Sequence, residues 1–296
     1  MKEKRVRLNA DCIMCLMKRQ MKASEKAKDE RERAKYLKEV MKIIGAASED
    51  EVAPVVVSRM NQIHEKFFGK PYSFEKEKKD FNKLMLELEP EIEAEIDASQ
   101  NPLQTALKYA RAGNYIDFGA LGGNVKTEKL LELLKNAGNE SLDEKEYENF
   151  RKDLSSATSL TYLTDNCGEV VLDKIFIQKL IHNYPDLKIT VLVRGKPVLN
   201  DVTENEAEEV GLTELVTVVG NGSGVAGTWI PDLSEEAREI LLHADVILAK
   251  GQGNFETLQG CNLNVYYAFL CKCQLFTTRF GMEQYAGVFI NDRRLD

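Results

Sequence analysis

A chain of 296 residues, 43% hydrophobic and 30% charged, is long enough for two modest domains or one large one, with a composition ordinary for a soluble protein. Its net charge of −8 argues against a nucleic-acid backbone as the main partner, and no apolar run reaches the roughly 18–20 residues that a membrane span needs. The three histidines (His64, His182, His243) are too scattered for a His-built zinc site, and six cysteines without secretory features do not suggest a disulfide scaffold.

The basic start, Met1 to Leu8, is followed by charge and Cys12 instead of a long apolar core, so it does not read as a signal peptide. The expectation is a cytoplasmic protein whose partner is a small molecule, with no nucleic acid and no membrane. From Cys12 to about Ile44 apolar residues recur among Lys, Arg and Glu at helical spacing, with Asp11 placed as an N-cap. Glu49–Phe68 and Phe74–Leu88 continue in this style, and Pro90 opens a further charged segment. Pro102 starts a helix through Ala112 that Gly113 ends. Further helices are expected over Thr127–Asn136 and about Asp143–Leu154. Their charge-rich faces read as solvated.

The pattern changes near Ala157. Short apolar runs at Leu160–Leu163, Lys188–Val193, Leu215–Val219, Asp245–Ala249 and Val265–Leu270 alternate with helical stretches, clearest at Gly168–Asn183 and Ser234–His243. Strands alternating with helices predict an α/β fold with a doubly wound parallel sheet. The expected organisation is a helical domain over residues 1–155 and an α/β domain over residues 156–296.

In such a sheet, functional groups gather beyond the carboxyl ends of the strands. The first run is followed by Asp165, Asn166 and Glu169. The second is followed by Arg194, Lys196, Asn200 and Asp201, and the fourth by Lys250, Gly251, Gly253, Asn254 and Glu256. Asp165 and Asp201 lie one βα unit apart and can converge on one cation. Two carboxylates, an amide oxygen and waters suit octahedral magnesium, manganese or a similar ion. The Lys250–Asn254 loop offers glycine-exposed N–H groups, a cation and a helix N-terminus, which suit a phosphate. Taken singly, an Asp or Asn before a helix is an ordinary N-cap; three strand ends with matching chemistry point beyond capping.

Gly222–Gly227 matches the G-x-G-x-x-G dinucleotide fingerprint, but Pro231 follows where a helix should begin, and Asp245 opens a strand where the acidic residue should end one. It reads as a glycine loop, a possible lid over the site. Cys12 and Cys15 share one helix face near its N-terminus, where the dipole lowers a thiol pKa. They read as a redox pair, as half of a zinc site completed by Cys271 and Cys273, or as two structural cysteines.

The segments Thr164–Glu169, Arg194–Thr203 and Lys250–Leu258 together resemble the metal-dependent damage-control phosphatases, long catalogued as a domain of unknown function. Ala112–Asp117 also resembles a family segment, and Cys12-x-x-Cys15 is similar to the largely prokaryotic branch. The resemblance covers about Cys12 to Cys273. It implies a Rossmann-like α/β domain beside a helical one, a divalent cation such as manganese, cobalt or nickel, and hydrolysis of phosphate monoesters of damaged or surplus metabolites, sugar phosphates or nucleotides. It further implies Asp165, Asn166 and Asp201 as metal ligands, and Lys250, Gly251 and Asn254 as substrate-phosphate contacts. Glu169 is counted with the substrate-binding group, and Asn114 and Asp117 line the site from the helical side. Where other branches carry Arg-Thr-x-Lys near the C-terminus, this chain has Phe269-Leu-Cys-Lys272-Cys273-Gln, so Lys272 is the candidate for that lysine and the substrate preferences of those branches do not transfer.

The implied chemistry is attack of water on a bound phosphoryl group, with Asp165 holding the cation and Lys250 stabilising charge. A covalent aspartyl-phosphate route lacks the Asp-x-Asp pattern, since Cys167 occupies its third position. Two other classes compete: an adenosine-cofactor transferase such as a methyltransferase, using the Gly220–Gly227 loop, and a metal- or redox-sensing module built on Cys12 and Cys15.

Overall fold

The structure is a computed structural model that describes residues 7–70, 72–115, 134 and 136–295. Asp117 and nearly all of the helix expected over Thr127–Asn136 lie outside the described residues.

The N-terminal run forms two helices where the periodicity suggested one. Helix α1 spans Ala10–Ala23 and α2 spans Glu30–Gly45. The chain breaks between them because Ala27 is extended (ψ 143°) and Asp29 starts the next helix by accepting from the Glu32 amide. The N-cap of α1 is Asn9 and not Asp11: the Asn9 side chain accepts from Cys12 N at 2.8 Å, which places Asp11 inside the first turn. Helix α3 covers Ala53–Phe68. Around it, Leu16, Tyr36, Val40, Val56 and Met60 form a small core.

Helix α4 runs unbroken from Glu75 to Ala98 and carries Pro90 within it, so Pro90 does not open a new element. Proline at that point removes one intrahelical bond. Buried Met85, Ile92 and Ile96 hold the turns on both sides of it. Helices α5 (Pro102–Ala112) and α6 (Glu144–Ser156) follow, with Asn101 and Asp143 as side-chain N-caps.

The second half is a six-stranded sheet in the order β3-β2-β1-β4-β5-β6. Its strands are β1 (Ser159–Leu163), β2 (Lys188–Val193), β3 (Thr217–Gly220), β4 (Val246–Lys250), β5 (Val265–Leu270) and β6 (Gly287–Asn291). The first five pair in parallel, and β6 joins β5 antiparallel. The expectation of a doubly wound parallel sheet holds for those five. The edge strand β6 was not foreseen: five residues ending the sheet carry too little periodicity to announce themselves. The connecting helices are α7 (Glu169–Asn183), α8 (Glu204–Glu209), α9 (Glu235–Leu242), α10 (Gly251–Leu258) and α11 (Gln274–Phe280).

One face of the sheet shares a continuous core with the preceding helices. Ile96, Leu107 and Phe150 of α4, α5 and α6 join Val171 and Ile175 of α7 and Tyr162 and Val191 of the strands. The other face packs Leu163, Ile247 and Tyr267 against Phe255 of α10 and Leu241 of α9. Lys174 and Lys179 of α7 reach Glu89, Glu93 and Asp97 of α4 at 2.7–3.3 Å, fastening that helix to the sheet. Among the described residues, no helix is long and apolar enough to cross a membrane.

Candidate active site

The strand order reverses between β1 and β4, which opens a crevice at their carboxyl ends. Three chain segments meet there. After β1, the Asp165 carbonyl accepts from Val202 N at 2.9 Å and Cys167 N donates to Asn200 O at 2.8 Å. These bonds lace the segment after β1 to the segment after β2, so that Asn166 and Asp201 form an antiparallel bridge. The loop can return this way because it turns tightly at Leu199, whose φ is +46°. Asp165, Asn166 and Asp201 are thereby brought together, as their positions at neighbouring strand ends suggested.

The Asp165 carboxylate lies at the centre, with its side chain 13% exposed. Its Oδ2 accepts from Asn114 Nδ2 at 2.9 Å and Asn166 Nδ2 at 2.8 Å. Its Oδ1 faces Arg194 Nη2 at 3.5 Å. Arg194 is buried and forks across the site: Nε donates to Asp201 Oδ2 at 2.6 Å, and Nη1 donates to Gly227 O at 3.0 Å and Asn254 Oδ1 at 3.1 Å. Burial pushes the Asp165 carboxyl well above the usual range, and the charges of Asp201 and Glu169 push it further. Arg194 and Lys272 pull the other way without reversing it.

Behind this layer lies a second one. Glu169, fully buried at the start of α7, accepts from Asn166 Nδ2 (2.9 Å) and Asn114 Nδ2 (3.1 Å) on Oε2, and from Lys250 Nζ (2.7 Å) on Oε1. Asp173, one turn further along α7, takes Lys250 Nζ and the Tyr162 hydroxyl on Oδ1. Burial raises the Asp173 carboxyl to about 6, although Lys250 opposes the rise.

Several residues expected to meet a substrate phosphate are placed otherwise. Lys250 is fully buried, its ammonium enclosed by Glu169, Asp173 and the Ala110 carbonyl. Asn254 is also fully buried; it donates to Thr164 O and Lys250 O and accepts from Arg194 and the Thr228 hydroxyl, so both ends of its amide are engaged within the protein. Glu169 is saturated in the same way. All three side chains are engaged within the protein. Gly251 lies at the front, with φ +77°, where a Cβ would stand 2.0 Å from Asp165 Oδ2. It opens α10, whose N-terminus has no side-chain cap. Asn114 reaches the centre from the helical side as expected, and Lys272 is half-buried after β5, where its charge favours the ionised form of Asp165.

A model of the damage-control phosphatase ARMT1-like domain matches residues 8–288. The chain belongs to that family. An uncharacterized protein of Methanocaldococcus jannaschii is 28% identical over 288 residues, 94% of this chain and 93% of the relative. A damage-control phosphatase of Archaeoglobus fulgidus is 30% identical over 190 residues, covering 64% of this chain and 65% of that protein. Another from Pyrococcus horikoshii is 32% identical over 171 residues, covering 57% and 58% respectively. The fold is shared with a crystal structure of a DUF89 family protein from Pyrococcus horikoshii at TM-score 0.80 and 24% identity, covering 97% of this chain and 99% of that one.

The glycine loop of this damage-control phosphatase domain is not a dinucleotide fingerprint, and it is packed against α10. A short 3-10 turn, Ile230–Asp232, follows it where a helix would be needed. Gly227 packs so closely on α10 that a Cβ would meet Gly253 O at 2.5 Å, and its carbonyl is held by Arg194. This removes the structural basis of the transferase reading.

The thiols lie to one side. Cys12 is half-buried and Cys15 exposed. The helix dipole was expected to lower the Cys12 thiol, but it is raised: burial outweighs the cap, and the charges of Glu256, Cys273 and Cys15 add to it. Among the described residues no group of three His, Cys, Asp or Glu could hold a metal.

Arg194 and Asp173 had no assigned role in the sequence. Glu169 and Asp173 at i and i+4 in the apolar first turns of α7 were the available signal, since that spacing turns both carboxylates to one face.

Proposed function

We propose that this chain is a metal-dependent phosphatase that hydrolyses phosphate monoesters of small metabolites such as sugar phosphates or nucleotides. The observation that carries the reading is the meeting of Asp165, Asn166 and Asp201 at the sheet's switch point, beside the uncapped N-terminus of α10. The donor set fits a hard divalent ion: two carboxylates and an amide oxygen, brought together at neighbouring strand ends. Thiolate and imidazole are absent from this set, which favours manganese, cobalt, nickel or magnesium over a structural zinc.

Asp165, Asn166 and Asp201 would hold the ion, which when bound supplies Lewis-acid polarisation of the phosphoryl oxygen and a more acidic water. The chain's own residues supply the rest. Arg194 bonds to both Asp165 and Asp201 and holds the glycine loop through the Gly227 carbonyl. The charge of Lys272 favours the ionised form of Asp165, and the uncapped N-terminus of α10 offers N–H groups that an anion could take. Asn114 ties the helical half to the site, so the substrate's remaining groups would be read by the helices and loops.

A screen of sugar phosphates and nucleotides with each metal in turn tests the reading. Turnover should require a divalent ion, and Asp165→Ala and Asp201→Ala should each lower kcat at least about a hundredfold, the scale expected when a preorganised electrostatic contact is lost. Full activity in Asp165→Ala would overturn the assignment.

A further inference from the structure

The geometry points to Lys250 as a positioning residue that sets the orientation of the Asn166 amide through Glu169, and not as a ligand of the substrate phosphate. The inference rests on the proposal above in taking Asn166 as a metal ligand.

An ammonium has three N–H donors. Lys250 Nζ has three acceptors around it: Ala110 O at 2.6 Å, Glu169 Oε1 at 2.7 Å and Asp173 Oδ1. The side chain is fully buried, so every donor is spent inside the protein and none faces the crevice. The lysine therefore acts on what it holds. Glu169, fixed on Oε1 by Lys250, offers Oε2 to Asn166 Nδ2 at 2.9 Å and Asn114 Nδ2 at 3.1 Å. Both amide nitrogens also donate to Asp165 Oδ2. Two carboxylates on its nitrogen fix which end of the Asn166 amide is the donor, so the oxygen is left as the end a hard cation can take. Lys250, Glu169 and Asn166 thus form a three-link relay to the metal position. The Ala110 carbonyl, in the last turn of α5, anchors the relay to the helical half.

Removing the lysine leaves two buried carboxylates, Glu169 and Asp173, facing each other without a counter-ion. Glu169 would then move or take up a proton, and Asn166 would lose its fixed orientation.

The test uses Lys250→Met and the charge-conserving double variant Lys250→Met/Asp173→Asn, which keeps the buried net charge unchanged if the single variant fails to fold. Lys174→Met, which breaks a comparable lysine pair on α7, serves as the structural control. Manganese binding without substrate is measured by calorimetry, and KM and kcat for para-nitrophenyl phosphate are measured at saturating manganese. The folded Lys250 variant should bind manganese at least about tenfold more weakly, with KM within about twofold of the parent, and Lys174→Met should bind it normally. Unchanged manganese affinity with a KM raised tenfold or more would overturn the relay and return Lys250 to the phosphate. Equal loss of affinity in Lys174→Met would also overturn it, as general loosening. A parent protein that binds no divalent ion would instead overturn the metal reading itself.

Discussion

At the scale of single residues, proximity to Asp165 decides most roles. Gly251 is required by the carboxylate it touches, since its φ is +77° and a side chain there would overlap Asp165 Oδ2. Gly251→Ala should therefore lower metal affinity and cost about 1–3 kcal/mol of stability, measured by calorimetry and denaturant unfolding. Glu256 gives a pH signature. Burial raises its carboxyl from 4.5 to about 7, although Gln252 donates to it. The folded state then holds a proton that the unfolded chain releases, so Glu256 is neutral in both states below about pH 4.5. Its burial penalty grows as pH rises and is complete above about pH 7. Glu256→Gln should match the parent in thermal midpoint near pH 4 and exceed it near pH 8; a constant gap across that range would refute the shift. Residue identity alone showed which groups were chemically able to act. It did not show that Lys250 points inward, because that depends on two carboxylates one helical turn apart on α7 and on a carbonyl from α5.

At the scale of elements, helix ends and strand ends were legible to different degrees. The parallel strands and the helix after β1 read clearly, because a buried strand shows a short apolar run and its following helix a longer one. The start of α1 did not. Asn9 and Asp11 are both capable caps, and only the backbone geometry at Asn9 selects between them. Asn9→Ala should cost about 1 kcal/mol of stability in urea unfolding, and Asp11→Ala appreciably less. Pro90 misled for a related reason. Helix propensity is a weak local preference, and α4 is held by its packing on α7 and by the lysine pairs from Lys174 and Lys179. The loop after β2 carries its meaning in a turn at Leu199 that no residue type announces, since leucine rarely takes a positive φ.

At the scale of the whole molecule, helices α4 to α6 and the sheet share one core and one hydrogen-bonded site, through Asn114–Asp165 and Lys250–Ala110. They should unfold together, so the amides of α5 and of β1 should become exchangeable in one cooperative transition, read by hydrogen–deuterium exchange under rising denaturant. Helices α1 to α3 have their own small core of Leu16, Tyr36, Val40, Val56 and Met60. Their amides should exchange with deuterium sooner than those of β1 and β4, because local opening exposes less buried surface there.

The amino-acid sequence by itself determined the α/β alternation, the family and the strand ends where the candidate site residues gather. These depend on periodicity and on short contiguous motifs, which are local properties of a chain. Only the tertiary structure decided which of those motif residues face the crevice. Asp165, Asn166 and Asp201 meet at the front, while Lys250, Asn254 and Glu169 stand behind them, because a side chain's direction is set by the partners that fold against it from distant segments.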